Sequence, residues 1–128
     1  MWSVGEHLAG FDSVEVVDLK GALGNEAREY LDGSRATKRV RVSSETAARI
    51  AALLCDLPPA EQMRCHIPPY GLVFYKGQIV LCRISICWQC NNITGTAGDA
   101  SVWYEFDARA KPARELLKLC KQAMTQAS

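Results

Sequence analysis

The residues best able to do chemistry lie in SICWQCNNI, positions 85–93, where Cys87 and Cys90 make a C-x-x-C pair around Trp88. Thiols at that spacing hold a soft metal, exchange disulfides, or pack as small apolar groups. The other four cysteines stand at 55, 65, 82 and 120. Cys82 and Cys120 fall among inward-facing positions of a strand and a helix, and Cys55 at the margin of a helix's apolar arc, so all three read as packing residues. Cys65, Cys87 and Cys90 are left as the candidate thiol centre.

Whether those three meet depends on one hairpin. GLVFY and QIVLCRISI flank Lys76-Gly77, and glycine supplies the positive φ that a two-residue reversal needs. A turn there sets Tyr75 against Gln78 and Leu72 against Leu81. Extended outward, the same register brings Cys65 opposite Trp88 and His66 opposite Cys87, with Pro68 and Pro69 weakening regular pairing between them and a bulge able to shift the match. Three thiols and an imidazole suit tetrahedral zinc, so Cys65, Cys87, Cys90 and His66 are the candidate metal ligands. Against a full site, neighbours on an extended segment point to opposite sides, which hinders joint ligation by Cys65 and His66. The cofactor expectation is none, or zinc.

The C-x-x-C pair suggests two catalytic readings. In a thiol redox protein Cys87 would attack and Cys90 would resolve, but NNITGT after the pair is poor helix sequence, and without a helix N-terminus the thiolate loses its usual stabilisation. The zinc deaminase signature fails because Ile86 replaces the required proline and His66 lacks its glutamate partner. No phosphate-cradling glycine loop, nucleophile elbow or H-E-x-x-H motif occurs. His7 reads as a surface side chain, Asp99 as a turn residue and Asp107 as a strand end. Trp88 in the cysteine loop, Trp103 on the outer sheet face and Tyr70 beside Pro68-Pro69 are the aromatic residues expected to line a binding surface.

The elements that position these residues sharpen toward the C-terminus. SVEVVDL (13–19) is β-branched and reads as a strand, whereas GALGNEAREYLDGSRA is polar and glycine-punctuated, compatible with a ragged helix, a strand or a loop. KRVRV alternates as a half-exposed strand does. Ser43 or Ser44 caps a helix through ETAARIAALLCDL, stopped by Pro58-Pro59. On the second hairpin strand Val80, Cys82, Ile84 and Ile86 share one face, while Ile79, Leu81, Arg83, Ser85 and Cys87 share the other. A second hairpin turns between Gly95 and Asp99, with Val102, Tyr104 and Phe106 inward. The last helix starts near Pro112 and carries the stripe Ala113, Leu116, Leu117, Cys120 and Met124. The fold class is α+β, a single domain over 1–128: an antiparallel sheet of four to six strands with two helices packed on one face.

Fifteen basic and fourteen acidic residues give a net charge of +1, too little to draw in nucleic acid or an acidic membrane surface. Lys38, Arg39 and Arg41 read as the solvated side of a strand. MWSVGEHLAGFDSVEV has no signal-peptide run and no segment is apolar over a membrane's thickness, so the expected location is cytoplasmic, where all six cysteines would remain reduced.

RCHIPPYGLVFYKGQIVLCRISICWQCNNI resembles a loosely defined group of small uncharacterised bacterial proteins. Their pattern is a C-x-x-P segment, a short hairpin, S-I-C-[FW]-x-C and a C-terminal helix, matched here over about residues 64–120. Some members carry histidine where this chain has Tyr70. The resemblance implies no activity; it implies that Cys65, Cys87 and Cys90 act as one unit. The expected function is a small binding or accessory protein without catalysis, its cysteine cluster stabilising the end of the long hairpin. Its expected partner is a protein or a small molecule, and a homodimer is left open. The alternative is a thiol redox protein using the C-x-x-C pair.

Overall fold

The computed structural model describes residues 4–61 and 65–126; residues 1–3 of the N-terminal segment and Arg64 of RCH lie outside the described residues. The chain forms an antiparallel sheet of six strands: β1 (Ser13–Asp18), β2 (Arg39–Arg41), β3 (Tyr70–Lys76), β4 (Ile79–Cys87), β5 (Asn92–Ala97) and β6 (Ala100–Glu105), in the order β2-β1-β3-β4-β5-β6. Three α-helices accompany it among the described residues: α1 (Gly24–Asp32), α2 (Ser44–Cys55) and α3 (Lys111–Gln126). This is the expected α+β architecture.

One face of the sheet makes the main core. Val14, Val16, Leu72, Phe74, Ile84, Ile86 and Ile93 alternate inward along their strands and meet Ile50, Leu53 and Leu54 of α2 and Leu116, Cys120 and Ala123 of α3. Ser43 caps α2, its hydroxyl accepting the Thr46 N–H at 3.2 Å, which satisfies one otherwise orphaned donor. Cys82 and Cys120 are buried in this core as packing groups, and burial pushes both thiols up to about 12.

The polar segment after β1 forms α1, which covers the other face and adds a layer the two-helix expectation lacked. Ala27, Tyr30 and Leu31 close over Val17, Leu19 and Val73. Arg39 fixes this helix: its guanidinium contacts Glu15 Oε1 at 2.9 Å and donates to the carbonyls of Tyr30 and Leu31 at 2.6 and 3.1 Å. The cation thus sits at the negative end of α1, where its charge is favourable, and is not the free solvated group read from the sequence. Arg41 lies over the Tyr75 ring at 4.6 Å.

The β3–β4 hairpin turns one residue later than expected, at Gly77-Gln78, where Gly77 takes φ 60°. Lys76 pairs with Ile79 and Tyr75 with Val80, but Phe74 pairs with Cys82, so Leu81 is a bulge. Beyond it Gly71 faces Ser85 and Tyr70 faces Ile86, three residues away from the expected register. The bulge also moves Val80 to the α1 side and lets Leu81 pack with the main core, reversing the face expected for each. Pro68 and Pro69 leave the hairpin altogether, their carbonyls accepting the N–H groups of Gly21 and Leu19 at 3.2 and 3.0 Å.

Gly95 marks the tightest backbone approach between β4 and β5. A Cβ there would fall 2.0 Å from the Arg83 carbonyl oxygen and 2.8 Å from the Ile84 Cα, neither of which can rotate away. Gly95→Ala is expected to destabilise the fold by about 3 kcal/mol, the upper range for forced overpacking, measured as a lower urea midpoint.

Candidate functional site

The segment Cys65–Pro69 precedes β3 and crosses the end of the sheet beside the loop Trp88–Asn91 that joins β4 to β5. A disulfide between Cys65 and Cys90 ties the two, with Cα atoms 5.5 Å apart. The convergence expected from the hairpin is present, but as a covalent bond: two of the six cysteines expected to stay reduced are joined. Cys87 is a free thiol with no exposed surface, and its sulfur accepts the Cys90 N–H at 3.1 Å.

His66 turns to the outer face of the sheet. Its Nδ1 lies 2.5 Å from Asn92 Oδ1, and its Nε2 lies 2.7 Å from Ser85 Oγ and 3.2 Å from Thr94 Oγ1. Ser85 and Thr94 are paired across β4 and β5, their hydroxyls 3.0 Å apart. Asn92 donates from Nδ2 to the Cys65 carbonyl at 2.7 Å, which orients its amide oxygen toward the imidazole. Nδ1 is therefore the protonated nitrogen, leaving the Nε2 lone pair to the serine. Burial lowers the His66 pKa from its ordinary 6.5, partly offset by the Asn92 hydrogen bond.

The zinc set of Cys65, Cys87, Cys90 and His66 is not assembled. The sulfurs of Cys65 and Cys90 are bonded to each other and both ring nitrogens of His66 face hydrogen-bond partners. Among the described residues no group of three or more His, Cys, Asp or Glu is placed to hold a metal ion. Adjacent residues on an extended segment do point apart, as expected of Cys65 and His66.

The same segment presents Ile67 and Pro69 to the side of the sheet that carries α3. There Tyr70 and Trp88 meet edge to face, centroids 6.3 Å apart, and Trp88 packs likewise on Phe106 at 6.4 Å. The Trp88 indole N–H donates to the Ala113 carbonyl at 2.8 Å, locking the ring against the start of α3. Around these rings lies a cleft of about 440 Å³, lined by Ile67, Pro69, Tyr70, Trp88 and Leu117, with Gly21, Gln89 and Lys121 completing it. Trp103 stands on the outer face of β6, where the alternation of that strand puts it, 49% exposed and apart from this cleft, its indole N–H donating to Glu105. His7 closes a 3-10 turn, Val4–His7.

Ser85, Asn92 and Thr94 were not singled out by the sequence, because strand pairing, not spacing, brings them to His66. The only advance signal was the alternation that placed Ser85 on the outer face. No protein-family model, curated protein or solved structure matches the chain. Among the described residues no helix is long and apolar enough to cross a membrane.

Two outcomes test this geometry. The disulfide closes a 25-residue separation, so its removal by Cys90→Ser, or by reduction, is expected to cost about 3 kcal/mol from unfolded-chain entropy, read by chemical denaturation. His66 binds a proton less readily folded than unfolded; its contribution to stability is therefore full above about pH 6.5 and falls as the pH drops through the lowered folded value. His66→Gln should flatten that acid limb in urea titrations across pH 4 to 8.

Proposed function

We propose that this chain is a small binding protein whose ligand occupies the cleft between Tyr70, Trp88 and Leu117, with the Cys65–Cys90 bond holding one wall in place. The observation that carries the reading is the cleft itself, which joins two aromatic rings and three aliphatic side chains beside the ammonium of Lys121. A small molecule with a flat apolar body and one anionic group fits that chemistry, since the apolar surface gains burial and the charge stays at the wet rim. A near-neutral chain with no strong field is consistent with a partner recognised locally. Thiol exchange at the C-x-x-C pair fits less well: the attacking sulfur, Cys87, is wholly enclosed, and Cys90 is engaged with Cys65. In a cytoplasmic setting the reducing environment would set how much of the protein carries the bond, and so how firmly that wall is held.

The fluorescent probe 8-anilinonaphthalene-1-sulfonate has the required shape and charge. It is expected to bind the native protein saturably at one site. Tyr70→Ala should weaken it about tenfold and Lys121→Glu about fivefold, as befits loss of a buried ring and reversal of an exposed charge, while Trp103→Ala leaves it unchanged. Binding that never saturates, or that ignores Tyr70→Ala in a folded variant, would rule the cleft out.

A further inference from the structure

The outer face of the sheet carries an arrangement that the binding reading does not use. Asn92, His66 and Ser85 form a chain of polar contacts: the Asn92 amide is set by the Cys65 carbonyl, its oxygen accepts the Nδ1 proton in a hydrogen bond, and Nε2 lies 2.7 Å from the Ser85 hydroxyl, whose proton also has the Thr94 carbonyl within 3.3 Å. A nucleophile and its base work at heavy-atom separations of about 2.6 to 3.2 Å, with a third group fixing the tautomer of the base. Such constellations are recognised by geometry and role, whatever the order of residues in the chain.

We propose that Ser85 and His66 are catalytic residues of an ester-cleaving site on this face, with Asn92 as the residue that positions the imidazole. Ser85 Oγ attacks the ester carbonyl carbon while its proton passes to His66 Nε2. The tetrahedral intermediate expels the alcohol, which takes that proton away. Water then attacks the acyl-serine, giving its proton to Nε2, and the returning proton releases the carboxylic acid and restores the Ser85 hydroxyl. Only ester and water are consumed.

Two features of the face define the substrate. Thr94 Oγ1, 3.0 Å from Ser85 Oγ, is a side-chain donor within reach of the oxyanion that forms beside it. Trp103 stands in the same cross-strand row, Ser85 to Thr94 to Trp103, about 10 Å from the serine at ordinary strand spacing, and its exposed indole offers a platform for a flat group. The fitting class is an aryl or similarly flat ester laid across Thr94. Ser85 is buried, with 7% of its surface exposed, and His66 and Thr94 beside it are half-buried at the same face. Burial keeps His66 neutral at pH 7, the form a general base requires.

A fluorophosphonate probe tests this on the folded full chain, with the labelled residue located by mass spectrometry. The expected result is one equivalent on Ser85, none with Ser85→Ala, and labelling slowed at least a hundredfold by His66→Gln with its thermal transition retained. The wild-type rate should hold level until the pH falls below the ordinary histidine range. Asn92→Asp, which sets a carboxylate against the imidazole, should move that acid limb to higher pH, which identifies the His66 imidazole as the group whose protonation stops the reaction; a limb that stays in place overturns its role as the base. Folded wild-type protein that stays unlabelled at Ser85, or a His66→Gln variant labelled at the wild-type rate, overturns the proposal. Since the wild-type result alone is decisive, variants that fail to fold do not protect it.

Discussion

A short extended segment must lie across the end of a six-stranded sheet, and the Cys65–Cys90 bond holds it there. Because side chains alternate along extended backbone, fixing Cys65 fixes where its successors go. His66 is delivered to the outer face and Ile67 to the side of α3, so one covalent tie serves both the imidazole network and the aromatic cleft. The backbone takes part as well: the Cys65 carbonyl orients Asn92, and the Pro68 and Pro69 carbonyls bind the chain that follows β1. Without the tie, a segment carrying two adjacent prolines would rely on these hydrogen bonds, those of His66 and the packing of Ile67 and Pro69 to hold it against its own conformational entropy.

Most of the sheet was legible because its strands obey alternation. KRVRV, the two hairpins, the serine-capped α2 and the stripe of α3 all occur where their patterns placed them, within a residue or two at the ends. The register was less legible, since a tight reversal at Lys76-Gly77 and one at Gly77-Gln78 are equally compatible with the glycine, and nothing in QIVLCRI announces that Leu81 bulges. The thiols still converged, because a three-residue slip along β4 moves the partner of Cys65 from Trp88 to a neighbouring position in the same loop. α1 was illegible for a different reason. Its residues are mostly polar, and its apolar positions Ala27, Tyr30 and Leu31, although at helical spacing, fill barely one turn between the glycines at 24 and 33, so the pattern is too short to separate a helix from a loop.

The cysteines show how far residue type determines role. Position in a strand or helix sorted Cys82 and Cys120 into the core, where burial suppresses thiolate formation. The same reasoning could collect Cys65, Cys87 and Cys90 but not divide them. That division follows from the loop geometry: Cys90 points across to Cys65, while Cys87, ending β4, is enclosed and accepts a backbone proton. Ser85 and Asn92 were harder still, since each looks unremarkable in RISIC and NNI and acquires a partner only when β5 folds back on β4.

The far rim of the sheet has its own safeguard. Past Glu105 the chain is crossed by Pro58–Ala60: Asp107 donates to the Pro58 carbonyl, Ala60 donates to Glu105, and Pro59 bridges Phe106. Backbone groups at that end of β6 are thereby spoken for, and a proline occupies the adjoining lane, where it has no N–H to offer. With β2 only three residues long at the opposite rim, a stray strand finds little length there on which to zip.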